Sequence, residues 1–414
     1  MMNVRQSLAV LAAVAWALAG CGRSDPEPLG GGIRAAYRIV DATGDVGYYS
    51  DMELHPANRL PAISYYDQTN GNLKYAWLQE NGEWLIEVVD EVGDVGSYTS
   101  LEFSSIGQPH IAYYDTTNRR PKYAFFNGAE WVVNTLDYPR DGGQYMSLAM
   151  DVNDVARVSF ISDFNFNLEY GLYVPYSGLN ETQIFTVDSG TFTTGRGGNI
   201  NSGTNIHLRD VEGAQNPVIV YYQASLGMLQ VVYYDPTHPG RIRRAIDNLP
   251  VDWVLKVLDG TEDPRDDVGT WVSSTLVNND ILYVAYYDAN AEDLKYIRHN
   301  LRTDEQIEEV VDTTGIVGEG TAITTDRNGI PTIAYYDATN NDLKVAVRSC
   351  SNLWQTFRLD LKGIVGAMPS IVALDDGQIG VAYHDAGNRA LKFALFRAYG
   401  SGTDSTSADE QACN

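Results

Sequence analysis

The sequence predicts an all-β chain folded as a seven-bladed β-propeller, with four antiparallel strands per blade and a ring closed by the N-terminal strand. Three observations predict it. A short signature recurs as ISYYD ending at Asp67, IAYYD at Asp115, VAYYD at Asp288, IAYYD at Asp337 and VAYHD at Asp385, with looser copies VSFISD ending at Asp163 and VIVYYQ ending at Gln223. These copies end 48, 48, 60, 65, 49 and 48 residues apart, the period at which propeller blades repeat. Finally, the seventh unit stops after its third strand, near Phe396, while an unmatched strand, Ala36–Asp41, stands before the first unit. A ring whose last blade is completed by the first strand accounts for both and leaves no open edge.

Within a unit, four short apolar runs are separated by turn signals. In the second unit they are Tyr98–Phe103, His110–Tyr114, Lys122–Phe126 and Trp131–Leu136, here called strands a, b, c and d. Between b and c lies Asp-x-x-Asn, as in Asp67-Gln68-Thr69-Asn70, whose side chains favour turns. Between d and a lies Asp-x-x-Gly-x-Val-Gly, seen at Asp41–Gly47, Asp90–Gly96 and Asp312–Gly318. Its closing Gly suits a positive φ or a close backbone approach.

The ends of the chain read differently. Residues 1–20 carry Arg5 and an apolar stretch from Leu8 to Ala19, too short to span a bilayer comfortably, and they read as a signal peptide. It closes on Leu18-Ala19-Gly20-Cys21, which resembles the bacterial lipobox. That resemblance implies lipidation of Cys21 and, with Gly22 following, placement at the outer membrane, facing the periplasm or the cell surface. Residues 21–34 then form a flexible tether, 35–398 the propeller, and 399–414 a disordered Ser/Thr/Asp-rich tail. Cys350, in the c–d connection of the sixth blade, and Cys413 in the tail fall on one face of the ring and are expected to pair as a disulfide.

Composition narrows the partners. A formal charge of −25 argues against nucleic acid, which needs clustered Lys and Arg. The densest basic cluster, Arg241, Arg243 and Arg244, lies in the c–d connection of the fourth blade. No calcium loop of the Asp-x-Asp-x-Asp-Gly type is present, and neither a metal nor another cofactor is expected. A monomer is expected.

The YYD…LKYA repeats resemble the BNR-like, sialidase-type repeats of bacterial surface proteins with propeller folds, over residues 35–398. The resemblance is to the repeat and not to a catalytic set. Sialidase Asp boxes, Ser-x-Asp-x-Gly-x-Thr-Trp, are absent, and the nearest string, Asp267–Trp271, is one residue short.

Strand direction places the b–c and d–a turns on one face, the top, pointing away from the anchor. Two residues after each closing Gly, an upper rim reads Tyr49, Tyr98, Tyr145, Asn205, Trp271, Gly320 and Met368. Aromatic faces beside carboxylates suit sugars or apolar side chains. Two residues deeper the series is Asp51, Ser100, Ser147, His207, Ser273, Ala322 and Ser370, in which Asp51 and His207 break a run of small residues. The expected ligand-binding set is Tyr49, Tyr98, Tyr145, Asn205, Trp271, Asp51 and His207, presented to a glycan or a protein loop without catalysis. An enzymatic alternative, a polysaccharide lyase or glycoside hydrolase, would use His207, Asp51, Tyr145 and His384. A third reading makes the ring a scaffold for an envelope complex. The Asp ending each YYD is expected to cap the turn or to pair with the Lys of LKYA, as Asp67 with Lys74.

Overall fold

Alternation of buried and open positions along each strand wraps the chain into seven sheets around one axis. The computed structural model describes residues 35–162, 167–175, 182–188, 203–237, 253–261, 263, 265–349 and 352–397. Strand β1 (Ala35–Asp41) comes first. The first blade is β2 (Val46–Leu54), β3 (Pro61–Asp67), β4 (Asn72–Leu78) and β5 (Trp84–Asp90). The second is β6 (Val95–Phe103), β7 (Pro109–Asp115), β8 (Arg120–Phe126) and β9 (Trp131–Thr135). The third, whose signature diverges most, is equally regular: β10 (Gly142–Met150), β11 (Ala156–Ser162), β12 (Leu168–Tyr173) and β13 (Thr182–Asp188). The fourth is β14 (Thr204–Val211), β15 (Ala214–Gln223), β16 (Met228–Tyr234) and β17 (Trp253–Asp259). The fifth is β18 (Val268–Val277), β19 (Ile281–Asp288), β20 (Asp293–Asn300) and β21 (Gln306–Asp312). The sixth is β22 (Val317–Thr325), β23 (Pro331–Asp337), β24 (Asp342–Arg348) and β25 (Trp354–Asp360).

The seventh blade has the order β26 (Val365–Ala373), β27 (Gln378–Asp385), β28 (Ala390–Arg397) and then β1. Strand β1 runs antiparallel to β28 from Ala35 opposite Phe396 to Asp41 opposite Leu391. The ring is therefore closed as the sequence predicts.

The core is not central. Among the described residues it is divided into seven large clusters, each filling the wedge between two neighbouring blades, and a small one of Leu60 and Leu78 within the first blade. The cluster at the closure joins Val40, Val46, Met52, Ile63 and Tyr65 to Leu391 and Phe393, and the next joins Leu73, Val95, Leu101, Ile111 and Tyr113. The first Tyr of each YYD belongs here: Tyr65, Tyr113, Tyr286, Tyr335 and Tyr383 are fully buried. Filling the wedges outside leaves the axis open, because inner strands cannot approach closer than their side chains allow.

The closing Gly shows why that turn is invariant in form. Gly47 has φ +102°, and a Cβ there would stand 2.9 Å from the Leu391 Cα of the preceding blade. The close approach is thus to the neighbour's third strand, not to the axis.

Candidate functional site

Each inner strand but one begins with an irregularity. In β2 the pairing with β3 shifts between Val46 and Tyr48 and again between Tyr48 and Asp51, and the same two shifts recur in β6, β10, β18, β22 and β26. The bulge puts one residue per blade at the upper rim in the left-handed region. The φ values are 52° at Tyr49, 54° at Tyr98, 55° at Tyr145, 53° at Trp271, 57° at Gly320 and 50° at Met368. For a side chain other than Gly this costs on the order of 1 kcal/mol, so five of these blades hold a bulky residue in a conformation Gly would take freely.

In four blades the hydroxyl residue after the rim position fastens the rim residue of the preceding blade. Thr99 donates its hydroxyl to the Tyr49 carbonyl at 2.9 Å, Thr204 to Tyr145 at 2.9 Å and Ser50 to Met368 at 3.2 Å; Thr321 donates to Trp271. This pattern corrects the fourth blade. Thr204 is the fastening residue, so Gly203 stands at the rim and Asn205 stands one level deeper than expected. The cause is visible in the register: β14 pairs with β15 without a bulge, from Thr204 opposite Tyr221 onward.

The three tyrosines form an arc. Ring centroids lie 4.4 Å apart for Tyr49 and Tyr98 and 4.5 Å for Tyr98 and Tyr145, tilted at 49° and 44°. With Trp271, Met368, Pro369, Gly203 and Gly320 they line a mouth of about 170 Å³. All four predicted rim aromatics therefore meet at one opening, each partly exposed.

Below the rim, a belt of side-chain oxygens links six of the seven inner-strand pairs. Asp51 Oδ2 accepts the Leu101 N–H at 2.7 Å, Ser100 Oγ that of Leu148 at 3.0 Å and Ser147 Oγ that of Ile206 at 3.0 Å. Asn205 Oδ1 accepts Ser274 N–H at 2.5 Å, Ser273 Oγ that of Ile323 at 3.1 Å and Ser370 Oγ that of Met52 at 2.9 Å. Each satisfies an amide of the next inner strand that would otherwise lack a partner. Asp51 and Asn205 thus share a structural role with the serines. Ala322 occupies the seventh position without such an oxygen.

One level deeper lie Glu53, Glu102 and His207, facing a central cavity of about 600 Å³. Burial first, then the Asp51 charge, pushes the Glu53 carboxyl up to about 8. Burial, then Glu53 and Asp51, holds Glu102 well above the usual carboxylate range. Burial also raises Asp51, against hydrogen bonds from Leu101 and Met52. Burial pushes His207 down to about 4, so it is neutral near pH 7, and its Nε2 lies 2.8 Å from Ser274 Oγ. His207 sits across the cavity's girth, three blades from Glu53.

His384 is elsewhere. Its ring centroid lies 4.0 Å from that of Tyr48, tilted at 37°, and its Nε2 lies 3.2 Å from Asp45 Oδ1, in the top connection leading to β2. Other blades use a Tyr at this position to reach the neighbouring connection, as where Tyr66 donates to Asp94 at 2.7 Å and Tyr222 to Asp267 at 2.5 Å. His384 does not line the cavity. Arg209 is likewise engaged, with Asp235 at 3.0 Å and Asp280 at 2.7 Å.

The Asp of YYD caps the b–c turn, as expected. Asp67 accepts Asn70 N–H at 3.1 Å and its Nδ2 at 2.9 Å, and Asp115, Asp337 and Asp385 repeat the arrangement. The Lys of LKYA, however, has a nearer partner. Lys74 reaches Asp41 at 2.6 Å and Asp67 at 3.5 Å, and Tyr65 donates to the same Asp41 at 2.8 Å. Sequence reasoning missed this trio, although the leading Asp of Asp-x-x-Gly signals it. It recurs as Asp90–Tyr113–Lys122, Asp259–Tyr286–Lys295, Asp312–Tyr335–Lys344 and Asp360–Tyr383–Lys392. In the fourth blade, Gln223 and Gln230 replace Asp and Lys around Asp188 and Tyr221. In the third, Glu169 takes the lysine position and accepts from Tyr138 at 3.0 Å.

Among the described residues no group of three His, Cys, Asp or Glu is placed to hold a metal ion. Cys21, Cys350 and Cys413, the tether, the tail and the Arg241–Arg244 cluster lie outside the described residues.

No protein-family description matches the chain, and no curated protein matches it. Solved structures do. The polysaccharide lyase Uly1 superposes with TM-score 0.50 at 11% identity, covering 93% of this chain and 95% of its own. The Aleuria aurantia lectin gives 0.45 at 10%, covering 76% and 96%, and the Penicillium chrysogenum α-L-arabinanase 0.45 at 12%, covering 72% and 92%. At such identities the likeness is one of fold: a β-propeller.

Proposed function

We propose that the chain is a cell-envelope lipoprotein, anchored through Cys21 at the outer membrane, whose propeller binds a glycan at its top face without transforming it. The observation that carries the reading is the mouth itself. Tyr49, Tyr98, Tyr145 and Trp271 surround one opening above a polar cavity of about 600 Å³, and aromatic faces over hydrogen-bonding walls suit sugar rings. Binding without turnover is supported by the dispersal of the candidate catalytic groups. Asp51 is engaged in the belt, His384 lies outside the cavity, and His207 stands apart from the carboxylates. On this reading the protein acts as a monomer, and a Cys350–Cys413 disulfide would pin the tail to the bottom face.

The test is a glycan array probed with the full chain, with product release measured on every ligand found. Binding without product, weakened by Tyr98→Ala, is the expected outcome. Product formation abolished by His207→Ala would replace binding with catalysis, and an array without hits would overturn the glycan reading.

A further inference from the structure

Resting on that reading of the mouth, we propose that the bound glycan carries free, protonated amines: its sugars are amino sugars without N-acyl groups, rather than neutral or uronic ones. The argument is one of placement. The rim residues Tyr49 and Tyr98 and the carboxylates Asp51, Glu53 and Glu102 all stand on two adjacent inner strands, β2 and β6. The electron-rich arc and the acidic wall therefore occupy the same sector of the ring, one above the other, while the remaining inner strands present Ser147, Asn205, Ser273, Thr275 and Thr324.

Among the described residues, the charged or titratable groups lining the cavity below the tyrosine arc are Asp51, Glu53, Glu102, Arg59 and His207. Arg59 is held by Asp375 at 3.2 Å, and His207 is neutral near pH 7. Three carboxyl groups thus face the cavity, and the one cation beside them among the described residues, Arg59, acts on Glu53 from its pairing with Asp375. An ammonium group entering this sector meets carboxylate acceptors below and tyrosine faces above, both of which attract cations. A uronate would gain nothing from these acceptors and would add a further negative charge to a sector that already raises its own carboxyls. Ser147 and Ser273 accept backbone N–H groups through Oγ at 3.0 and 3.1 Å, so their O–H groups can donate to sugar oxygens. That extended polar wall favours a hydroxylated body over the apolar stem of a lysine side chain.

Protons provide an independent readout. Burial and the Asp51 charge push the Glu53 carboxyl up to about 8, and burial with the Glu53 charge holds Glu102 well above its usual range; an arriving ammonium lowers both and lets Glu53 ionise. Binding should then release protons at about pH 6, where the ligand amine is charged.

The experiment is calorimetry of the full chain with a glucosamine hexamer, an N-acetylglucosamine hexamer, a galacturonate hexamer and a lysine hexamer, each in two buffers of different ionisation heat. The expected result is that the glucosamine hexamer binds at least about tenfold tighter than its N-acetylated counterpart and releases protons. A Glu53→Gln, Glu102→Gln double variant that melts as a folded protein should lose that preference. Should the N-acetylated or uronic hexamer bind as well or better, the amine inference falls while the glycan reading stands. Should no sugar bind, both fall, and lysine-hexamer binding would then point to a peptide. If the double variant does not fold, proton release by the unaltered chain decides: its absence overturns the proposal.

Discussion

Lys74 on β4 places its Nζ 2.6 Å from Oδ2 of Asp41 on β1, across the one boundary where the first blade meets the last. The side chains are 9% and 2% exposed, Tyr65 donates to the same carboxylate, and the ammonium lies 5.8 Å from the Tyr65 ring centre. A contact used at ordinary blade boundaries therefore also locks the ring.

Removing one partner of such a buried pair leaves an uncompensated charge. Lys74→Met should lower stability by roughly 3 kcal/mol or more, and Tyr65→Phe by about 1 kcal/mol. Chemical denaturation of each variant checks this. Equal effects of the two substitutions would contradict it.

The pH profile has two flanks. Burial alone would raise the Asp41 carboxyl, but hydrogen bonds from Lys74, Thr43 and Tyr65 hold it below its ordinary value; Asp312 and Asp360 are lowered in the same way by Lys344 and Lys392. A lowered carboxyl stabilises above its unfolded value of about 3.9 and loses that contribution as pH falls through the folded value. Glu53 has the opposite sign. Raised to about 8, it favours the fold most below its unfolded value of about 4.3, and stability falls as pH rises toward 8. The melting temperature should therefore peak near pH 5, and Glu53→Gln should make the alkaline flank shallower while leaving the acid flank unchanged, Glu102 supplying the remainder.

The rim separates strain from packing. Met368→Gly relieves a φ of 50° and should be neutral or stabilising by up to about 1 kcal/mol. Gly47→Ala sets a Cβ 2.9 Å from Leu391 Cα at φ +102° and should cost roughly 2 kcal/mol or more. Thermal melts of the two variants should move in different directions or by clearly different amounts.

His384→Tyr restores the repeat signature, and its hydroxyl should take over the bond to Asp45 that Tyr66 makes to Asp94. Stability should change by less than about 1 kcal/mol and glycan binding should not change. A loss of binding would return His384 to the functional site.

Nearly all of the architecture was legible because every blade repeats the same local instructions: alternation in the strands, Asp-x-x-Asn at one turn, Gly before a bulge at another. Even closure was legible, from an orphan strand at one end and a missing one at the other. The rim aromatics were legible too, since their offset from the closing Gly is constant where the bulge is present. Asn205 was misplaced because β14 lacks that bulge, and counting residues from Gly203 cannot reveal a change of register. The partner of Lys74 was hidden for another reason. Asp67 is the hairpin neighbour in sequence, whereas Asp41 approaches only when two blades pack. Asp51 drew attention as an exception, yet its oxygens do what Ser100 and Ser147 do.

The pairing of β1 with β28 also decides how the molecule meets tension. Ala35 lies opposite Phe396, so both ends of the described chain leave the ring at the same place and on the same face. A pull applied between them loads the backbone bonds of this pair one after another, as a zipper is loaded, instead of all together in shear. The seventh blade is therefore the clasp of the ring: the part that opens first under force, while the other six keep their strands contiguous in the chain.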